Sequence, residues 1–97
     1  MKLPSETQLL LLHSLGAREI SGRELAKLFE REHGRSISYG TLYTSLRRLK
    51  EEGWIAVRDE EAEDRRTKYF RLTGAGAAMR VKVQEIEAIR GEQGVTL

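Results

Sequence analysis

Leu9, Leu12 and Leu15 recur at the spacing that places them near one face of an α-helix, with Leu10 and Leu11 widening that face. Ser5, three residues before Gln8, supplies a capping box, and Gly16 ends the run. A second box, Ser21 to Glu24, opens a pattern carrying Leu25, Leu28 and Phe29 and closed by Gly34. Only residues 17–20 separate these two helices, so they must pack as neighbours, with Ile20 available for a short strand or a hydrophobic staple. The third pattern begins at Ser38 and stops at Gly53, with Leu42, Leu46 and Leu49 as its buried stripe. At 3.6 residues per turn, Tyr39, Tyr43, Arg47 and Lys50 point away from that stripe, and Thr44 and Arg48 flank it.

After Gly53 the period shortens to two. WIAVR (54–58) and TKYFRL (67–72) read as short strands separated by DEEAEDRR, which predicts an antiparallel hairpin with a long charged tip. Ile55 and Val57 share one face; Phe70 and Leu72 face opposite to Tyr69 and Arg71. From a Thr73 N-cap the helical period returns, with Ala75, Met79, Val83, Ile86 and either Ile89 or Arg90 close to an a/d seam, ending near Arg90; Ile89 is the apolar candidate. The glycine-bearing GEQGVTL tail is expected to fray. The fold class is therefore mainly α with a small β-hairpin: helix-helix-helix-strand-strand-helix, a winged helix-turn-helix with a C-terminal dimerisation helix.

Charge sharpens this reading. The 17 basic and 15 acidic residues among 97 leave a formal charge of only +2, but they are segregated. Residues 35–50 hold Arg35, Arg47, Arg48 and Lys50 without an acid; residues 65–84 hold Arg65, Arg66, Lys68, Arg71, Arg80 and Lys82, again without one. These windows carry +10 against −8 elsewhere. Twelve of the cations are arginine, whose planar fork suits phosphate and guanine edges. Segregated cations of this kind imply a polyanion, and with the winged helix-turn-helix order the expected partner is double-stranded DNA.

Several classes of function are excluded. Without cysteine the chain has no disulfides, no thiolate zinc ligands and no thiol nucleophile. His13 and His33 have no metal-ligand spacing, Gly74-Ala75-Gly76 lacks the third glycine and the lysine of a phosphate loop, and no nucleophile motif occurs. No enzyme activity, metal or cofactor is expected. The longest apolar run, residues 9–12, is far short of the roughly 20 residues of a bilayer span, and MKLPSETQ lacks a signal-peptide layout. The expectation is a soluble cytoplasmic protein of one domain: a DNA-binding unit over 1–73, a dimerisation helix over 74–90 and a flexible tail over 91–97.

GTLYTSLRRLKEEGWI (40–55) resembles the recognition-helix signature of PadR-type transcriptional regulators, and RRTKYFRLTGAGAAM (65–79) resembles that family's wing return strand and the start of its last helix. The resemblance covers roughly residues 7–90. It implies a homodimeric DNA-binding repressor of the bacterial or archaeal cytoplasm, paired through its last helix over a pseudo-palindromic site. In many members a small aromatic or drug-like effector releases DNA. Ser21-Gly22-Arg23-Glu24-Leu25 departs from the family's usual His-Gly-Tyr-Glu-Leu, replacing an aromatic by a cation, and no aromatic follows Phe70, so no effector is identifiable.

The candidate DNA-binding residues are Ser21 and Arg23 at the second helix start; Ser38, Tyr39, Thr41, Tyr43, Thr44, Arg47, Arg48 and Lys50 on the third helix; and Arg65, Arg66 and Lys68 on the wing. DEEAED (59–64) is expected to point away from DNA, with only the Arg65-Arg66 side approaching. Trp54 and Phe70 read as core. The acidic stretch leaves one alternative, a winged-helix protein–protein interaction module without specific DNA binding.

Overall fold

The computed structural model describes residues 2–95, with side chains to Ile89. Its elements are α1 (Glu6–Leu15), β1 (Ile20–Ser21), α2 (Gly22–His33), α3 (Tyr39–Glu51), β2 (Ile55–Ala62), β3 (Arg65–Leu72) and α4 (Gly74–Val95). Each helix start is built locally. The Ser5 hydroxyl accepts from the Gln8 amide while the Gln8 side chain accepts from the Ser5 amide, closing the expected box. Ser38 accepts from the Thr41 amide at 3.1 Å. At Ser21 the box is one-sided: its hydroxyl accepts from the Glu24 amide but donates to the Glu24 carboxylate. Gly34 ends α2 at φ 70°, the left-handed conformation expected of its position.

Leu11, Leu12 and Leu15 of α1, Leu25 and Phe29 of α2, and Leu42, Leu46 and Leu49 of α3 meet in one core, roofed by Trp54, Ile55 and Phe70; Leu9, expected on the α1 stripe, is half-buried outside it and Leu11 takes its place. The sheet order is β1-β3-β2, all antiparallel. Val57 stands opposite Phe70 and Ile55 opposite Leu72, so the inward face follows the predicted alternation. Ile20 forms the short strand, opposite Phe70.

The wing corrects one expectation. DEEAEDRR is not a long loop: pairing continues from Arg58↔Tyr69 to Ala62↔Arg65, and only Glu63 and Asp64 turn, at φ 50° and 65°. Two consecutive positive φ values define a tight hairpin turn normally filled by Asn-Gly. One cross-strand ion pair supports the register in place of β-propensity: Glu61 faces Arg66 and takes it at 2.7 Å, while Asp59 stands opposite Lys68 without an ion pair between them. Acids and arginines therefore share the distal end, contrary to the expected separation.

Thr73 anchors the last helix. Its amide donates to the Trp54 carbonyl at 3.1 Å, its hydroxyl donates to the Gly53 carbonyl at 2.6 Å and accepts from the Gly76 amide at 3.1 Å. Gly76 lies so close to the Trp54 carbonyl that a Cβ there would overlap it. The helix then continues past Arg90 to Val95, so the predicted tail is helical over 91–95; its last two residues lie outside the described residues.

Candidate nucleic-acid interface

The α3 stripe sorts its side chains as its period demands. Leu42, Ser45, Leu46 and Leu49 are buried, and Tyr39, Thr41, Tyr43, Thr44, Arg47, Arg48 and Lys50 are exposed. The helix carries no acid in its first turn, and its amide ends emerge beside Ser38 and Tyr39, where the partial positive charge of a helix N-terminus suits an anion. Ser38 is exposed but its hydroxyl is engaged, capping Thr41 and donating to the Thr41 hydroxyl at 3.0 Å. It shapes the helix start as well as lining it.

Tyr43 has two roles in the geometry. Its ring is 6.2 Å from Phe70 and 6.3 Å from Tyr39, a tilted aromatic row from the wing to the helix start. Its hydroxyl end covers Gly22, where a Cβ would collide with it, and yet 45% of the residue is exposed. Gly22 thus lets the α2 start lie against α3, a contact no local sequence signal reveals. Ser21 and Arg23 flank that junction, the first half-buried and the second exposed.

Between α3 and the wing runs an open groove of about 410 Å³. Leu46, Val57 and Phe70 form its floor; Tyr43, Thr44, Arg47, Lys50 and Lys68 form its sides, without a carboxylate. Among the described residues, Arg23, Arg47, Arg48, Lys50, Arg65 and Lys68 have no acid within ion-pair distance. Arg66 differs, because Glu61 takes it at 2.7 Å. Register separates the wing cations: Lys68 and Arg66 share the face of Phe70, whereas Arg65 lies on the opposite face with Tyr69. A row of uncompensated cations costs the folded chain little in water and attracts a polyanion strongly at low ionic strength.

The α4 stripe is divided. Met79 packs against the core, Val83 is buried within the chain, and Ile86 is half-buried, whereas Ala75 and Ile89 are exposed. Met79 and Val83 are therefore occupied by the chain's own body rather than presented to a partner. Val81, off the predicted stripe, is 53% exposed and Ile89 is 55% exposed.

The two histidines take separate neighbours. His13 accepts from Arg80 Nε at 3.2 Å, while His33 pairs with the Ser14 hydroxyl at 3.1 Å and meets the Phe29 ring edge-on. Burial, reinforced by the Arg80 charge, holds the His13 imidazole below its ordinary pKa. Among the described residues no group of three or more His, Asp or Glu could hold a metal ion, and no helix is long and apolar enough to cross a membrane.

Comparison with known proteins places this geometry. The chain is 34% identical over 68 residues to Transcriptional regulator Rv3488 of Mycobacterium tuberculosis, covering 70% of this chain and 63% of that protein, so it spans less than two thirds of this relative. A PadR family transcriptional regulator from Eggerthella lenta superposes with a TM-score of 0.80 at 26% identity, over 93% of this chain and 79% of that one. Bacillus subtilis PadR, solved in complex with operator DNA, shares the fold with a TM-score of 0.74 at 24% identity, over 81% of this chain and 46% of its own. The profile of the PadR-like transcriptional regulator family matches residues 11–82, which include the second half of α1, all of α2 and α3, the wing and the Thr73-anchored start of α4. These residues make the chain a member of the PadR-like family of transcriptional regulators, which are not enzymes.

Proposed function

We propose that the chain is a sequence-specific DNA-binding regulator, acting as a repressor in the cytoplasm, with α3 in the major groove and the wing on the adjacent backbone. The observation that carries this reading is the exposed, acid-free face of α3, whose cations stand without ion-pair partners beside those of the α2 start and the wing. An α-helix fits the major groove; Arg47 is suited to a guanine edge, and the hydroxyls of Thr41, Tyr43 and Thr44 to phosphate or base edges. Arg65 and Lys68 are the wing's available cations, Arg66 being shared with Glu61.

A homodimer fits the same reading. Ala78, Val81, Glu85 and Ala88 follow one another at three- and four-residue steps on exposed turns of α4, with Ile89 beside them. This outward seam, rather than Met79 and Val83, is the surface a second α4 would cover, and it would set the distance between two winged heads.

One observation favours a protein partner instead: Asp59, Glu60, Glu61, Glu63 and Asp64 outnumber Arg65 and Arg66 at the wing end. Selection of bound fragments from the source genome, followed by sequencing, separates the two. Enrichment of a shared, approximately two-fold symmetric sequence supports the DNA reading; fragments recovered without sequence preference refute it.

A further inference from the structure

The outer face of the sheet carries an arrangement that the α3 interface does not use. Glu19 immediately precedes β1; Ser21, Tyr69 and Arg58 then stand in register across β1, β3 and β2. Arg58 crosses the middle strand. Its guanidinium lies 4.8 Å from the centre of the Tyr69 ring and ends on one Glu19 oxygen, with Nε at 3.0 Å and Nη2 at 2.7 Å. The third nitrogen, Nη1, meets Glu60 at 3.2 Å. The hydrogen bond from Arg58 holds the Glu19 carboxyl below the usual carboxylate range.

The position of this strap along the hairpin gives it leverage. Val57↔Phe70 is the last pair of the wing with a buried side chain; beyond Arg58↔Tyr69 the pairs from Asp59↔Lys68 to Ala62↔Arg65 are almost wholly exposed. Arg58 is thus the outermost residue through which β2 is fastened back to the body. Glu19 is two residues from Ser21, the cap of α2, so the fastening joins the two elements that flank α3 in the proposed interface.

We infer that Arg58 is a positioning residue for DNA binding: strapped over Tyr69 to Glu19, it fixes the wing relative to the α2 start without touching DNA itself. This rests on the DNA-binding reading above. Exposed ion pairs contribute little to global stability, so the effect belongs to local opening of the wing and to DNA affinity.

The test uses the full chain and the variants R58Q, E19Q and the double variant E19Q/R58Q, all at exposed positions. Amide hydrogen exchange is followed over residues 59–68 against α3, with affinity measured for a duplex recovered from the genomic selection and for a random-sequence duplex. R58Q and E19Q are expected to speed wing exchange about three- to tenfold, leave α3 protection unchanged and weaken the selected duplex by a similar factor. The double variant is expected to lose no more than R58Q alone, because the two residues act through one strap. Wing exchange unchanged in R58Q overturns the strap, as does a folded double variant whose loss is the sum of the two single losses. Faster exchange with undiminished affinity for the selected duplex overturns the positioning role. Failure of the wild type to bind either duplex instead refutes the DNA reading, and the exchange result then decides the strap alone.

Discussion

Replacing Gly76 by Ala is a one-methyl test of how α4 is mounted. The added Cβ, whose position the backbone fixes, would overlap the backbone carbonyl of Trp54, so no side-chain rotation relieves it. The start of α4 must lift, and the Thr73 bonds to Gly53 and Trp54 stretch with it. Overpacking of this kind costs ~1–3 kcal/mol, and each weakened hydrogen bond adds about 1 kcal/mol; the better helix propensity of Ala returns up to about 1 kcal/mol. The net loss is ~2–4 kcal/mol, a large share of the 5–15 kcal/mol typical of small domains. For a chain of this size that lowers the thermal midpoint by roughly 10–25 °C. Gly74 is the control, because a Cβ there meets nothing. Gly74→Ala is expected to be neutral or to stabilise by up to ~1 kcal/mol. Circular-dichroism melts at one fixed protein concentration read both, since the midpoint of the proposed dimer would depend on concentration. A G76A midpoint at or above the wild type, or an equal loss in G74A, would refute the account of this junction.

The double substitution E63N/D64G places the residues a tight turn prefers at φ 50° and 65°, relieving ~1 kcal/mol of left-handed strain. Wing amides over 59–68 are then expected to exchange more slowly, and unchanged exchange would count against the turn geometry. His13 makes stability depend on pH. Its folded pKa lies below 6.5, so its contribution is complete above pH 6.5 and is lost as pH falls through the folded value. Between about pH 7.5 and about pH 5, His13→Gln, which keeps an acceptor for Arg80, should lose less stability than the wild type; equal losses would remove His13 from the balance. Charging the outward seam of α4 with V81E/I89E should shift sedimentation from dimer to monomer, and an undiminished dimer would place the interface elsewhere.

Features encoded within a few residues were legible in the sequence, and features made by distant contacts were not. Ser5, Ser21, Ser38 and Thr73 announce helix starts because a cap is a contact over three residues. The exposed face of α3 follows from its leucine spacing alone. The sequence understates the length of the wing because its turn contains no glycine and its acidic strand has low β-propensity; the Glu61–Arg66 pair, visible only once register is known, supports the extension. The α4 seam was assigned by period, yet a helix amphipathic toward its own core carries the same period as one facing a partner, and Met79 and Val83 belong to the first kind. Gly22 under Tyr43, Gly76 under Trp54 and Glu19 under Arg58 join residues 21 to 39 positions apart, beyond any local pattern.

The central claim, that unpaired cations on the α2 start, α3 and the wing hold DNA phosphates, is tested most directly by the salt dependence of binding to the selected duplex. Each neutralised phosphate releases counterion, so with about three to five contacts per head and two heads per site, log affinity should fall against log salt with a slope of about −5 to −9. Arg47→Ala should reduce that slope by about one to two if Arg47 meets phosphate, or cost ~1–3 kcal/mol per half-site on the selected sequence alone if it reads a base. A slope near zero, with affinity unchanged in Arg47→Ala, would contradict the account.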